Sequence, residues 1–289
     1  MSIKKYLERF EDLSNKKILI TGGTSGIGLS LAEQLLSKNA TVVILARNMK
    51  KAEEVKNSLL EKYKDAQLSF IQYDQSDDQS VIKAAKEVAE KHRDFYALVL
   101  NAGITQQKKP VKYVDGYPLT IKTNLIGLSL FLETLLPLLN EKHRFIFQGS
   151  LVAGWHLKKI KSYQDKNISF WQQYFISKAG VEALYYYYLE QHLDHEFLLV
   201  EPGISVTNII REFPPVIRFL AKSFAVLFSN PVEKASLPAL LAVSSTTKDG
   251  SYIIPRGLFD WRGYPKIKKF PPKRRRPFLL EMIKKAPSK

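Results

Sequence analysis

Short apolar stretches alternate with amphipathic stretches along the chain, and this pattern predicts strands separated by helices. Continuous runs of apolar and β-branched residues are typical of strands that are buried on both faces. The runs that predict strands are KILIT (17–21), TVVILA (41–46), LSFIQY (68–73), ALVL (97–100), FIFQ (145–148), FLLV (197–200) and YII (252–254).

Helical periodicity occupies the segments between these runs, with apolar residues recurring every three or four positions. The predicted helices cover 27–38, a charged stretch ending near Tyr63, 78–92, 171–192 and 231–246. Strands that alternate with helices favour a parallel sheet covered on both faces. We therefore predict an α/β fold: a single-domain Rossmann fold whose doubly wound parallel sheet has about seven strands.

The chain is expected to form one dinucleotide-binding and catalytic domain over residues 1–289. No Pro-, Gly- or Ser-rich linker and no internal repeat divides it. Residues 1–16 are interpreted as an N-terminal extension, and residues 266–289, which contain KIKK, KRRR and KK, as a basic C-terminal tail. The N-terminus has no apolar core of a signal peptide, and we expect no membrane-spanning stretch of about 18 apolar residues.

Composition narrows the chemistry. The chain has no cysteine, so it has no disulfide, no thiolate nucleophile and no cysteine-ligated metal. This fits a reducing compartment, and we expect a cytoplasmic protein. His192 and His195 are the closest histidine pair, but they lack neighbouring acids or cysteines, so we predict no metal site. The net charge of +16 would attract nucleic acid, anionic lipid or the phosphates of a cofactor.

A glycine-rich loop, TGGTSGIG, follows the first predicted strand and opens the first predicted helix. Gly22, Gly26 and Gly28 permit a tight turn, a close approach to a pyrophosphate and packing of the helix on the sheet. The helix N-terminus then faces the anion. The predicted cofactor contacts in this loop are Gly22, Thr24, Ser25, Gly26, Ile27 and Gly28.

The end of the second predicted strand bears on the choice of cofactor. An NAD-selective site would place an acidic residue there, whereas this chain has Arg47 and Asn48. Arg47 can pair with the 2′-phosphate of NADP(H), or it can be a solvated surface charge. NADP(H) is therefore favoured and NAD(H) is the alternative. Asp74, after the third strand, lies where a polar side chain would reach the adenine.

The glycine loop, the segment Asn101-Ala102-Gly103 and YFISK (174–178) together resemble the classical short-chain dehydrogenase/reductase family over nearly the whole chain. The resemblance implies that the Asn-Ala-Gly segment supports the central sheet beside the cofactor. It also implies a catalytic set made of Asn124, Ser150, Tyr174 and Lys178. In EPGISVT (201–207) it implies that Pro202, Gly203 and Thr207 contact the nicotinamide end of the cofactor.

The spacing between the serine and the tyrosine departs from the family pattern. Ser150 and Tyr174 are 24 residues apart, about twice the usual separation, and Tyr163 fits that spacing better. Tyr163, however, has no lysine four residues later, whereas Tyr174 and Lys178 share one face of a predicted helix. We therefore choose Tyr174. The implied insertion, roughly 155–170, resembles the retinol-dehydrogenase-like branch and is expected to border the substrate cleft.

The family resemblance also implies the role of each catalytic residue. Tyr174 exchanges a proton with the substrate, and the Lys178 ammonium lowers the pKa of that phenol and holds the ribose. Ser150 donates a hydrogen bond to the substrate oxygen, and Asn124 orders a water that leads to solvent. The expected activity is hydride transfer between nicotinamide and a carbonyl or alcohol group.

The substrate and the partners are predicted less directly. The apolar segment 208–230 suggests a hydrophobic substrate, a peripheral contact with an anionic membrane made together with the basic tail, or ordinary core packing. Two other functions stay open: an inactive NAD(P)-binding regulatory protein, and a binder of anionic membrane or nucleic acid. No sequence-specific nucleic-acid motif is present, so no specific nucleic-acid partner is expected. The tyrosine run 185–188 suggests a homo-oligomer.

Overall fold

The computed structural model describes residues 2–105, 110–153, 163, 168–191, 193–205, 229–257 and 260–284. Within them, the chain forms one eight-stranded sheet in the order β10-β9-β8-β7-β4-β1-β2-β3, and a two-stranded hairpin, β5–β6. The strands are β1 (Lys17–Thr21), β2 (Thr41–Ala46), β3 (Leu68–Gln72), β4 (Ala97–Leu100), β5 (Tyr113–Val114), β6 (Tyr117–Pro118), β7 (Arg144–Gln148), β8 (Glu196–Val200), β9 (Tyr252–Pro255) and β10 (Pro265–Lys268).

Helices connect the strands and cover both faces of the sheet. They are α1 (Ile3–Leu7), α2 (Gly26–Leu36), α3 (Met49–Lys62), α4 (Asp78–Lys91), α5 (Leu119–Ile121), α6 (Gly127–Leu135), α7 (Phe170–Glu190), α8 (Val232–Ala235), α9 (Leu237–Val243) and α10 (Pro277–Lys284). A π-helical turn, Lys122–Ile126, joins α5 to α6. The predicted α/β fold with a doubly wound, mainly parallel sheet is confirmed.

The strands are apolar on both faces because each face packs against helices. Leu19 and Leu98 point into a core shared with α4, α6 and α7. Their neighbours Ile18 and Val99 point into a second core shared with α2 and α9. Successive side chains of a strand alternate between faces, so a strand between two helical layers is apolar at most of its positions.

The eighth strand is absent from the sequence prediction of about seven. β10 pairs antiparallel with β9 at the edge of the sheet, with Ile267 opposite Ile253. Ile267 is 53% exposed, and lysines flank it on both sides. An edge strand of this kind lacks the continuous apolar run that identifies the buried strands.

In the described part of the chain, the helical run Leu119–Leu138 is the one helix that is long and apolar enough to cross a membrane. This property was not predicted from the sequence. In this fold, 67% of its most apolar window is buried, with Phe131 and Leu132 inside the core. A core helix of a globular fold has the same composition. The run is therefore weak evidence for a membrane span.

The segment interpreted as a basic tail is part of the fold as far as it is described. It supplies β10, a 3₁₀ turn at Pro272–Arg274, and α10, whose Leu279 is completely buried. The N-terminal extension also packs on the domain, with the ring of Tyr6 4.6 Å from that of Tyr264. Neither end, over its described part, is a free extension.

Candidate active site

A cavity of about 1120 Å³ opens at the carboxyl ends of the parallel strands, where doubly wound sheets bind ligands. The loops that leave β1, β2, β3, β4, β7 and β8 line it. All the predicted site residues in the described part of the chain contribute to this lining except Asn124. Thr207, most of the insertion at 155–170 and nearly all of the apolar segment 208–230 lie outside the described residues.

The glycine loop forms a shallow cradle at the start of α2. Gly22 has φ +73°, and a Cβ on Gly28 would lie only 2.4 Å from the Gly22 carbonyl oxygen. Ser25 is the N-cap of α2, yet its side chain makes no capping bond. The first-turn amides and this hydroxyl are therefore available to an anion, and the loop fits a pyrophosphate.

The segment after β4 fixes the glycine loop from the opposite side. The Asn101 side-chain amide donates to the carbonyl oxygens of Thr21 (3.0 Å) and Gly22 (3.2 Å). The Ala102 backbone amide donates to the Thr21 hydroxyl at 3.0 Å. These bonds join the ends of β1 and β4 and hold the cradle in shape.

Basic side chains lie at the end of β2. Arg47 is exposed, and Lys51, one helical turn later, lines the same part of the cavity. Sequence reasoning missed Lys51, which lies in the first turn of α3, four residues after Arg47. Asn48 caps α3 by accepting a hydrogen bond from the Lys51 amide (3.0 Å). Its side-chain oxygen is therefore already used within the protein.

Asp74 is the only acidic residue among the described residues that line the cavity. Its carboxylate accepts hydrogen bonds from the Ser76 amide (2.9 Å) and the Ser76 hydroxyl (2.7 Å). The carboxylate thus stabilises the turn after β3, and Asp74 also lines the cavity.

Tyr174, Ser150 and Lys178 meet at the inner end of the cavity. The Ser150 hydroxyl lies close enough to the Tyr174 phenol to lower the pKa of that phenol, and Lys178 donates to the Gln148 carbonyl oxygen at 3.0 Å. Tyr174 and Lys178 lie one turn apart on α7, which a capping box at Ser169 starts. The arrangement places a proton donor, a hydroxyl and a cation around one point.

The pKa values of this set follow from burial and its neighbours. Burial lowers the pKa of Lys178 to about 8, against the opposing charge of Glu182, which raises it. Burial raises the pKa of Tyr174, and the hydrogen bond from Ser150 partly lowers it. Burial is the larger of these two effects, so the net shift of the Tyr174 pKa is upward.

Asn124 lies in the π-helical turn and is almost completely buried. Its side-chain amide donates to the Ile104 carbonyl (2.9 Å) and the Ser177 hydroxyl (3.0 Å), and its oxygen accepts from the Ile104 amide (2.7 Å). Both amide hydrogens are therefore used. The side chain joins the loop after β4 to α7, and its ordering of a water stays a prediction.

The competing tyrosine occupies a different place. Tyr163 is 1% exposed, and its hydroxyl donates to the Leu279 carbonyl oxygen of α10 at 3.0 Å. It is absent from the described lining of the cavity, and burial raises its pKa strongly. The geometry favours Tyr174 over Tyr163.

The loop after β8 borders the end of the cavity that is predicted to receive the nicotinamide. Gly203 has φ +74°, and a Cβ there would lie 2.3 Å from the Trp261 carbonyl oxygen, so this position requires glycine. Pro202 and Gly203 both line the cavity.

An apolar wall completes the cavity next to Tyr174. Trp171 and Phe175 lie one turn apart on α7 with their rings stacked at 6.2 Å, and Phe175 contacts the Tyr174 ring edge-on at 6.5 Å. Leu151 and Val152 face the same space. Sequence reasoning did not select these residues, although aromatic residues at one-turn spacing beside Tyr174 are a visible signal. Among the residues that the structure describes, no group of three or more His, Asp or Glu could hold a metal.

Comparisons with known proteins identify the family of this chain. A family model described as short chain dehydrogenase matches residues 16–215. An uncharacterized oxidoreductase of Schizosaccharomyces pombe is 36% identical over 254 residues, covering 81% of this chain and 74% of that protein. A 3-keto-steroid reductase/17-beta-hydroxysteroid dehydrogenase 7 of Rattus norvegicus is 27% identical, covering 75% and 79%. The NADP active-site complex of RhlG from Pseudomonas aeruginosa has a TM-score of 0.61 and 24% identity, covering 80% and 89%.

Proposed function

This chain belongs to the short-chain dehydrogenase/reductase family of NAD(P)-dependent oxidoreductases, and on that premise we propose that it is NADP(H)-dependent and acts on an apolar carbonyl or alcohol. The observation that carries the proposal is the meeting of Ser150, Tyr174 and Lys178 beside the glycine loop in one cavity. When bound, the cofactor supplies or accepts the hydride.

The cofactor would extend from the end of β2 to the loop after β8. The amides of the glycine loop hold the pyrophosphate, and Arg47 with Lys51 holds the 2′-phosphate. Lys178 would hold the ribose of the nicotinamide half. The absence of an acid at the end of β2 and the NADP found in a protein of the same fold support NADP(H) over NAD(H).

Tyr174 is the proposed proton donor when the substrate carbonyl is reduced. Burial keeps the phenol protonated at neutral pH, so it has a proton to give. Ser150 lies next to the phenol and orients the substrate oxygen by hydrogen bonding. Lys178, protonated below its pKa of about 8, stabilises the phenolate that forms.

The proposed substrate class is apolar, with an aromatic or alicyclic group beside the carbonyl. Trp171, Phe175, Leu151 and Val152 form the wall next to Tyr174. Rings of this kind pack against a flat apolar substrate and exclude water from the reacting group. The relatives include a steroid reductase, which supports the same class. They do not single out the retinol-dehydrogenase-like branch, so that narrower resemblance stays a proposal.

A cofactor and substrate screen tests the proposal. The purified protein is assayed with NADPH and NADH against apolar ketones, aldehydes and the matching alcohols. We expect NADPH-dependent turnover that Tyr174→Phe removes almost completely and that Tyr163→Phe reduces only through stability. Full activity in Tyr174→Phe would refute the assignment. A selective loss of activity in Tyr163→Phe would instead identify Tyr163 as the proton donor.

A further inference from the structure

Two carboxylates are completely buried directly behind the candidate catalytic set. Glu182 lies on α7, one turn beyond Lys178, and Glu201 follows β8 immediately before Pro202; both side chains have an exposure of 0%. A buried carboxylate needs a charged or hydrogen-bonding partner to stay in the fold. The partners of this pair come from a distant part of the chain.

Arginines of the C-terminal segment supply the compensating charge. Arg274 Nε donates to Glu182 at 3.0 Å, and Arg274 Nη2 also binds Glu182 and Glu201. Arg276 Nη1 donates to the same Glu182 carboxylate at 3.2 Å. Arg274 Nη1 donates to the Tyr252 hydroxyl at 2.7 Å. The segment interpreted from sequence as a basic tail is therefore the cationic half of an internal network.

The same two guanidinium groups hold the loop that carries Ser150. Arg274 Nη2 donates to the Ser150 carbonyl oxygen at 3.1 Å, and Arg276 Nη2 donates to the Ala153 carbonyl oxygen at 3.2 Å. The branched guanidinium can bind a carboxylate and a carbonyl at once, which an ammonium on a flexible stem does less well. Both ends of the turn 150–153 are thus tied to the C-terminal segment.

The network also affects the charge at Lys178. The negative charge of Glu182 favours protonation of Lys178, against the effect of burial. Burial is the largest influence on Glu182 and raises the pKa of its carboxyl to about 7. Arg274 and Arg276 lower this pKa, and the charge of Glu201 at the end of β8 raises it. Removing an arginine would therefore favour neutral Glu182 and withdraw its support from Lys178.

We propose that Arg274 is a positioning residue for proton transfer, holding the Ser150 loop in place while keeping Glu182 charged beside Lys178. The inference rests on the proposed function, because it needs Ser150, Tyr174 and Lys178 to be the proton-transfer set. Arg274 itself is absent from the described lining of the cavity. It acts on the reaction through the groups that it holds.

Arg274→Gln is the test, with Arg275→Gln as the matched control. Arg275 is the next residue and is exposed, and its side chain lies over the Tyr186 ring at 4.3 Å rather than against a carboxylate of the network. In Arg274→Gln we expect NADPH affinity, measured by fluorescence titration, to stay within about threefold, because the glycine loop is unaffected. We expect kcat to fall by about 100-fold, since a small displacement of a reacting group costs this much.

The pH dependence is the second readout. In Arg274→Gln, Glu182 keeps only Arg276 as a guanidinium partner, so a larger fraction of Glu182 is neutral, the pKa of Lys178 falls and the alkaline decline of kcat/KM moves to lower pH. In Arg275→Gln both kcat and the position of this decline stay as in the wild type. A kcat and a pH profile in Arg274→Gln equal to those of the control would overturn the proposal.

A double variant separates positioning from stability. Arg274→Gln/Glu201→Gln no longer buries an unpaired carboxylate at Glu201, whose ion pair in the described part of the chain is with Arg274, whereas Glu182 keeps Arg276; its thermal midpoint should therefore recover most of what Arg274→Gln loses. Its kcat should stay low, because the Ser150 carbonyl is still not held. A kcat that recovers together with the thermal midpoint would show a purely structural role and contradict the proposal.

Tyr174→Phe is assayed alongside these variants, so that the two levels can fail separately. If Tyr174→Phe keeps full activity, the proposed function fails and the inference fails with it. If Tyr174→Phe is inactive while Arg274→Gln behaves like Arg275→Gln, the proposed function stands and only the role of Arg274 is rejected.

Discussion

At the scale of single residues, burial determines how the candidate set is protonated. Two of the cations that line the cavity differ in this respect: Lys178 is buried inside α7, whereas Arg47 is exposed at the end of β2. Lys178 is sensitive to pH because desolvation weakens its charged form. Arg47 presents a planar guanidinium suited to a fixed phosphate contact.

The rate of carbonyl reduction should fall as the pH rises through about 8. The pKa of Lys178 lies below its ordinary value, so its ammonium form is present below about 8 and lost above it. Stabilisation of the phenolate is lost with that charge. The measurement is kcat/KM for the NADPH-dependent reduction between about pH 6 and pH 10. A rate that stays flat to the upper limit would rule out a role for the ammonium.

Replacing Arg47 should reduce the preference for NADPH. A charged hydrogen bond contributes about 1.5 to 3 kcal/mol, so Arg47→Gln should lower the NADPH to NADH ratio of kcat/KM by about 10-fold or more. Lys50→Gln is the control, since Lys50 is exposed and does not belong to the described cavity lining. An unchanged ratio in Arg47→Gln would make Arg47 a surface charge, which was the alternative interpretation.

Sequence predicted the cofactor loop and the Tyr-Lys pair because both depend on local spacing. It did not predict Lys51, Trp171 and Phe175 as site residues, because no family motif contains them, although the helical spacing of the two aromatic residues was visible. Glu182 could not be assigned from sequence at all. Its environment depends on Arg274, which is 92 residues away in the chain.

At the scale of elements, α7 has the greatest influence on the site. It carries Tyr174, Lys178, Glu182 and the apolar wall, and its N-terminus is fixed by a capping box between Ser169 and Gln172. A helix that starts one turn later would lose Trp171 and leave Tyr174 near a frayed end. The cap therefore links local stability to the shape of the cavity.

Ser169→Ala should destabilise the protein by about 1 kcal/mol and lower activity on apolar substrates. The equivalent N-cap in α1, Ser2, gives the control Ser2→Ala, because α1 has five residues and buries none of them. Urea unfolding monitored by circular dichroism, followed by steady-state kinetics, measures both effects. Equal and negligible effects of the two substitutions would mean that the cap does not shape the site.

The strands were predictable because burial on both faces leaves a continuous apolar run in the sequence. β10 and α10 were not, because the segment that contains them is rich in lysine, arginine and proline. The charges of Arg274 and Arg276 satisfy carboxylates on other elements, a pairing that composition cannot reveal. Basic residues in a sequence indicate charge without indicating where that charge is directed.

At the scale of the whole molecule, the C-terminal segment closes one edge of the sheet and one side of the core. Deleting residues 265–289 removes β10 and α10. It also removes the buried Leu279 from the core and leaves Glu182 and Glu201 without their arginines. Breaking a buried ion pair alone costs about 3 to 5 kcal/mol, a large part of the stability of a domain.

The truncated protein is therefore expected to unfold at a much lower guanidinium chloride concentration, or to accumulate in an insoluble form. Deletion of residues 2–8, which removes α1 and no buried side chain, is the comparison and should have a small effect. If the truncated protein keeps the wild-type midpoint of unfolding, the segment is a dispensable attachment, as the tail interpretation supposed.

The separation of Arg274 from Ser150, 124 residues along the chain, also constrains the order of events during synthesis. At roughly 5 to 20 residues per second, the turn at Ser150 is made about 6 to 25 s before the arginine that holds it. Until Arg274 and Arg276 are made, Glu182 and Glu201 lack the guanidinium groups that pair with them, and their carboxylates are more stable in water than in the core. The half of the sheet formed by β1 to β4 can assemble in the meantime, whereas the catalytic half becomes complete only when the C-terminal segment docks.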